Sequence, residues 1–480
     1  MPDQQSAVEK NNSLVVFSAV IASIGGILFG YDIGIISGAL LQLKETFTLS
    51  YFEQELVVCG VLIGAFCASF FGGNVVDSFG RKAGIIISCG FFITGSVILF
   101  LSINFIMLII GRVIVGIAIS LSVTAECTYI SEISPPSCRG MMVSFNEVGI
   151  TTGFLIAYLM NYIFISMKNG WKWMFGVAIL PAILQGIGVA FMPSSHHYLI
   201  AKGQIQKARE VLIHLRKSEN VEEEMEAILK SMSEQKSFTY KDLFRSAFNM
   251  RSRMFLGMTL VFLQQFSGNA NVLYYAPTVF QHFGYSTDTS ATLVSVGLGI
   301  VKVIATIITL LMVDRVGRRS LLLTGSVLMA LSIILLGIVG TLQHSSKTDF
   351  STRIISVISL MVFVCAYSIS YGPVTWLVLS EIFPGSVRGR AVSVATCINW
   401  ASNIIVSLTF LDVLNAMGIG PVFVTYEIIC FAAAIFIFFC VPETKNKSLE
   451  EINQVLTKGL LKKGCRKYSC ERNTVAVEQL

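Results

Sequence analysis

The chain has 480 residues and a formal net charge of +6; only 13% of its residues are charged, 54% are hydrophobic, and its mean hydropathy is +0.72. A soluble protein of this length needs a charged coat that this composition cannot supply, so lipid is the solvent for most of its surface. At roughly 20 apolar residues per bilayer crossing, twelve crossings take about half the chain and leave no room for a large soluble domain.

The first residues are polar and lack a charged region, apolar core and cleavage site in series, so no removable signal peptide is read and residues 1–13 are expected to be a cytoplasmic N-terminus. Apolar stretches follow at about 14–41, 56–76, 84–104, 106–131, 141–165 and 173–192. A second set lies near 254–283, 291–313, 320–341, 353–380, 390–411 and 420–441. The fold class expected is an all-α membrane protein of twelve transmembrane helices, with six-helix bundles at 14–192 and 254–441. Between them, 193–253 carries Lys207, Arg209, Arg216, Lys217, the acids Glu222 to Glu224, Lys241 and Arg245, and should form a cytoplasmic helical linker. Residues 442–480 are read as a cytoplasmic tail.

Loops rich in Lys and Arg stay on the cytoplasmic side. Arg81 and Lys82, Arg139, the linker, Arg318 and Arg319, Arg388 and Arg390, and the tail all fall on one side, which places both termini in the cytoplasm. The loops expected on the other side, near 42–55, 166–172, 284–290 and 412–419, carry few such bases, and Trp171 and Trp173 fit interfacial anchors. Cysteines at 59, 67, 89, 365, 397, 430 and 440 lie in apolar stretches and read as small packing residues. Cys465 and Cys470 sit among tail bases, compatible with palmitoylation or with an ordinary solvated tail.

The two halves repeat. Asp77, Gly80, Arg81 and Lys82 after the second span recur at a constant offset as Asp314, Gly317, Arg318 and Arg319 after the eighth. Glu132, Pro136, Arg139 and Gly140 after the fourth recur as Glu381, Pro384, Arg388 and Gly389 after the tenth, and Pro193 matches Pro442. Three motifs in one order argue for a duplicated six-helix unit of the kind that rocks about a midplane site. Glycines permit tight turns, while acids and paired bases can lock neighbouring helix ends by charge-assisted hydrogen bonds. Asp77, Arg81, Glu132, Arg139, Asp314, Arg318, Glu381, Arg388 and Glu443 are therefore candidate cytoplasmic gating residues; simple topology signals are the competing account.

With GGILFGYDIGIISG at 25–38, GRVIVG at 111–116, VDRVGRR at 313–319, SEIFPGSVRGR at 380–390 and VPETK at 441–445, the chain resembles the sugar porter family of the major facilitator superfamily. Within it, the class III facilitative glucose transporters, vertebrate members ten and twelve, are the most similar; their long insertion between spans nine and ten is reduced here to about 342–352. The resemblance implies a transporter of hexose by alternating access, facilitative or proton-coupled, and a sugar site built mainly by the second half. Gln264 and Gln265 match paired glutamines of span seven, Trp376 the tryptophan of span ten, and Asn399, Trp400 and Asn403 the polar and aromatic positions of span eleven. Amides donate and accept, which suits vicinal hydroxyls. Tyr274 and Tyr275 would lie near the outer gate, and Gly372 and Pro373 would break span ten near Trp376.

Several positions depart from the family. Ala270 stands where it has asparagine on span seven, leaving Asn269 or Asn271 as replacement, and Ser368 stands where many facilitative members have glutamate. Glu147 on span five replaces a sugar-binding glutamine and Lys302 on span eight replaces an asparagine. A lone charge at the bilayer centre costs at least ~3 kcal/mol, so each should face a wet cavity or a partner. They are expected either to pair with each other across the pathway and contact substrate, or each to snorkel or pair elsewhere. Asp32 on span one and Arg112 on span four are a second candidate pair: proton-coupled members carry Asp at the first position, and a static salt bridge is the alternative. Glu126 has no family role and is expected to have a local packing partner. The family's Pro-Glu-Ser-Pro-Arg segment reads Pro193, Ser194, Ser195, His196, His197, without acid or base.

No phosphate loop, metal-ligand spacing or nucleophile constellation is present among the motifs, so neither enzyme, metal site, cofactor nor nucleotide-driven pump is expected. The partners implied are a small sugar, protons in a coupled version, and membrane lipid, with no nucleic acid and an open oligomeric state. A polyol such as myo-inositol, dehydroascorbate or a pentose could use the same hydrogen bonds, and a sugar receptor that binds without moving substrate is the reading from another class.

Overall fold

A computed structural model describes residues 13–457 apart from 136–137, 219, 234–242, 245–248, 344–349 and 446–448. Pro136, Lys241, Arg245, Cys465, Cys470 and the side chain of Asp314 thus lie outside the described residues. Among the described residues, eleven segments are long and apolar enough to cross a bilayer. Spans one to six are Ser13–Thr46, Tyr51–Ser69, Arg81–Phe100, Phe105–Ile133, Arg139–Phe164 and Gly170–Ala190. Spans eight to twelve are Asp288–Val313, Arg318–Thr341, Phe350–Ile382, Val387–Met417 and Ile419–Cys440.

Span seven is the expected twelfth crossing, and it is broken into Met250–Phe266, Asn269–Tyr274 and Ala276–His282. Gly268 takes φ +84° at the first break, a left-handed conformation that side chains resist. The last piece begins with Pro277 in its first turn, where a missing N–H costs nothing. Span ten breaks at Ser370, between Phe350–Ile369 and Tyr371–Ile382. Pro373 has no N–H to offer the Ile369 carbonyl one turn back, which accounts for a kink just before the expected Gly372–Pro373 position.

Lipid offers no hydrophobic drive between helices, so close approach through small residues holds spans one and five together. A Cβ on Gly30 would come within 1.8 Å of the Ile150 carbonyl oxygen, and Gly26, Gly34 and Gly38 meet span five the same way. Contacts between the two halves run along spans two and eleven and along five and eight.

The repeated motifs build the same local geometry twice. Gly80 and Gly317 turn with φ of +95° and +104°. After each turn an arginine pairs with the acid at the end of the second helix onward: Arg81 with Glu132 at 3.0 Å, Arg318 with Glu381 at 3.0 Å. Arg81 also reaches Asp77 at 3.2 Å. The halves differ at their ends. Glu443 accepts the backbone N–H groups of Arg318 (3.0 Å) and Arg319 (3.2 Å), capping span nine. On the first side Ser195 donates to Glu132 instead, and Lys82 donates to the carbonyls of Ala190 and Met192.

The linker forms His196–Ala201, Ile205–Arg216 and Glu222–Ser233, and Leu449–Thr457 follows span twelve. Arg216 ties it together through Glu224 at 2.8 Å and to the end of span four through the Ile133 carbonyl at 2.9 Å.

Three expectations need correcting, and the first is the loop expected at 42–55, which shrinks to residues 47–50 between helices ending at Thr46 and starting at Tyr51. Trp171 is buried and stacks edge-on with Phe47, so it packs within the bundle; Trp173, about 200° round the helix, is the exposed one. The loop expected at 412–419 is mostly a helix, Phe410–Met417, continuing span eleven after a bend at Thr409.

Candidate functional site

The breaks in spans seven and ten bring amides and rings together where spans seven, ten and eleven meet. Gln264 donates to the Tyr371 carbonyl at 2.8 Å, a bond across to the kinked span ten, and Gln265 donates to Asn399 Oδ1 on span eleven. Oε1 of Gln264 and Oδ1 of Asn269 are buried without an aligned donor, and the Tyr367 hydroxyl lies beside both amides. A buried acceptor left unmade is costly, so these two oxygens suit the O–H groups of a bound molecule. Trp376 is half-buried against the hydrophobic core, and Trp400 lies 6.2 Å from Phe29 of span one, so an aromatic pair bridges the halves.

Asn271 is differently placed. Both its amide hydrogens are taken, by the Val406 carbonyl at 3.0 Å and the Tyr426 hydroxyl at 2.7 Å, so it ties span seven to spans eleven and twelve. Of the two asparagines open in the sequence, Asn269 is the one beside the Tyr367 hydroxyl. Asn403 donates to the Tyr274 hydroxyl at 3.0 Å, and Tyr275 donates to the Ser407 carbonyl at 3.2 Å while stacking on Phe410 at 4.9 Å. These contacts join spans seven and eleven on the side of the amide cluster away from the termini. Tyr158 of span five donates to the Leu273 carbonyl at 2.9 Å and joins the halves at the same level.

Glu147 and Lys302 sit on packed spans, as expected, and Glu147 is the acid whose field acts on Lys302. No ion pair joins them. The Lys302 ammonium instead lies over the rings of Phe154 at 5.2 Å and Tyr367 at 5.8 Å. Tyr367 therefore touches both the lysine and the amide cluster, a role that nothing in its sequence neighbourhood marks.

Asp32 and Arg112 are fully buried neighbours without a carboxylate–guanidinium contact. Arg112 donates to backbone carbonyls, those of Asp32 at 3.1 Å and Val57 at 3.2 Å, and both Asp32 carboxylate oxygens lack a hydrogen-bond partner. Glu126 accepts from Ser122 and from Gln185 (2.8 Å), which also holds the Ala22 carbonyl. At the terminal face Arg139 is exposed, and Arg388 donates to the Phe383 carbonyl at 3.4 Å.

Hydropathy does not mark Glu55, because the apolar run of span two starts at about residue 56. The structure buries it against span eleven. A signal was present: Ser50 and Glu53 form a capping box that starts the helix at Tyr51, which puts Glu55 inside the span.

The family described as "Sugar (and other) transporter" matches residues 18–456. Facilitated glucose transporter member 12 of Macaca fascicularis is 39% identical over 524 residues, covering 92% of this chain and 84% of the relative. Member 10 of Xenopus tropicalis is 39% identical over 529 residues, covering 94% of each. Among solved structures, a partially occluded inward-open conformation of the E. coli xylose transporter XylE superposes with a TM-score of 0.79 at 28% identity, covering 91% of this chain and 100% of that one. The proton:xylose symporter XylE bound to 6-bromo-6-deoxy-D-glucose gives 0.78 at 29% identity, covering 93% and 100%. Paired arginine–glutamate motifs and an amide cluster between broken helices thus coincide with these similarities, and the chain belongs to the sugar transporter family.

Proposed function

We propose that this multi-pass membrane protein carries a hexose across the bilayer by alternating access, with both termini in the cytoplasm. The observation that carries the substrate class is the pair of buried acceptors on Gln264 and Asn269, which accept no aligned hydrogen bond although the Tyr367 hydroxyl lies beside both amides. In this reading Gln264, Gln265, Asn269 and Asn399 bind sugar hydroxyls, and Trp376 and Trp400 cover the ring's apolar face. Lys302 and Glu147 border the same space. Asn403, Tyr274 and Tyr275 form the outer closure, and Asn271 acts as a strut beneath it. Residues 14–192 and 254–441 move as the two rocking units, joined by the linker at 193–253, while the Arg81–Glu132 and Arg318–Glu381 pairs hold each unit's cytoplasmic end.

Proton coupling is supported by Asp32, a buried carboxyl without hydrogen-bond partners beside Arg112. Movement that changes its distance from Arg112 would change its hold on a proton. Counterflow into proteoliposomes, run with hexoses, pentoses and polyols at two pH values, tests both claims. Hexose exchange is expected to be fastest, with sugar-induced alkalinisation outside inward-transporting vesicles, and Asp32→Asn should abolish the alkalinisation while leaving counterflow. A polyol preference would replace the substrate, sugar binding without uptake would favour a receptor, and absence of alkalinisation would make the protein a uniporter.

A further inference from the structure

The helix Phe410–Met417 carries no cap of its own: Thr409 at its N-cap makes no capping bond and donates its hydroxyl to the Ile405 carbonyl instead. Its second and third N–H groups, those of Leu411 (2.5 Å) and Asp412 (3.2 Å), both donate to Oε1 of Glu55. Glu55 belongs to span two, in the other bundle, and is completely buried there. A carboxylate at a helix N-terminus satisfies orphan donors and meets the positive end of the helix dipole. Here that carboxylate comes from across the interface along which the two halves would separate.

We propose that Glu55 is a positioning residue that latches the face opposite the termini shut, by capping the end of span eleven from the opposite bundle. This rests on the alternating-access reading. In the closed state the carboxylate is desolvated and bonded to two backbone donors, so a charge-assisted pair forms where water is excluded. Opening that face would expose both partners to water, which then satisfies them separately. The latch therefore biases the protein toward the conformation open on the terminal side. Phe410, the first residue of the capped helix, stacks on Tyr275, so the cap also holds the lid over the site.

A purely structural cap and a latch predict different things. Thr409→Asp would supply a cap from within the same bundle. Nitroxide labels at Phe52→Cys and Val413→Cys, both exposed on the two sides of the seam, report its width by double electron–electron resonance in nanodiscs, in a background whose accessible cysteines are serine. In Glu55→Ala the ratio of wide to narrow separations should rise about tenfold, since a hydrogen bond to a charged group is lost. Glu55→Gln, which keeps an acceptor but no charge, should fall between. In proteoliposomes the KM for entry from that face should drop relative to exit. Adding Thr409→Asp to Glu55→Ala should restore thermal stability but leave the distances wide. Unchanged distances in Glu55→Ala, or their return with Thr409→Asp, would overturn the latch. The distances are read without sugar, so a protein that moved no sugar would defeat the transport reading and leave this result standing.

Discussion

The residues that define this site are polar groups that the fold leaves incompletely satisfied. Gln264 and Gln265 were legible from their motif, whereas Tyr367 was not, because a tyrosine in an apolar helix is ordinary and only its position beside Gln264, Asn269 and Lys302 gives it a role. Glu147 and Lys302 illustrate the limit of reading charges singly. Their helices pack as expected, but the ammonium rests on two aromatic faces, a contact that exchanges a strong directional bond for a weaker, sliding one. Lys302→Met should therefore reduce uptake about tenfold or more, because Glu147 then has no cation acting on it. Combining it with Glu147→Gln should recover part of the loss. Initial-rate uptake in proteoliposomes measures both, and strictly additive losses would show that the two charges act independently.

Among the elements, the helices were readable from hydropathy and their breaks largely were not. Span seven looked like one apolar stretch from about 254 to 283; Gly268 and Pro277 were visible in it, but glycine and proline are common in membrane helices that stay whole. Only glycine fits the break, because the left-handed turn at Gly268 faces the Tyr426 ring, with 2.4 Å between a notional Cβ and the ring. Gly268→Ala should lower stability by about 2 kcal/mol or more, through strain in the left-handed region and displacement of the tyrosine that holds Asn271. Gly90→Ala, where a Cβ would meet nothing within 4 Å, is the matched control and should leave melting in detergent unchanged. Equal melting of the two variants would mean that the break is not braced by Tyr426.

At the level of the whole molecule the internal repeat is nearly symmetric, and its asymmetry falls at one corner. Glu443 caps the second half, while the corresponding first-half segment after Pro193 brings buried His196. Burial, then His197 and Arg216 alongside, hold His196 down to about 3. The docked segment thus refuses a proton that an opened segment accepts near pH 6.5. Stability is full above pH 6.5 and declines as pH falls from there toward 3, at about 1.4 kcal/mol per unit for one such group. His196→Leu should flatten the part of the melting-temperature slope between pH 7.5 and 5.5 that the wild type shows; identical slopes would place the acid sensitivity elsewhere. The order of residues alone determined the all-helical membrane class, the paired motifs and the family, because hydropathy and repeated motifs are local properties of the chain. Only folding decided that Lys302 sits on rings, that Asn271 bonds to spans eleven and twelve while Asn269 lies beside Tyr367, and that Glu55 caps a helix of the other bundle. Those outcomes depend on which distant groups come into contact with each other, and no local pattern encodes that.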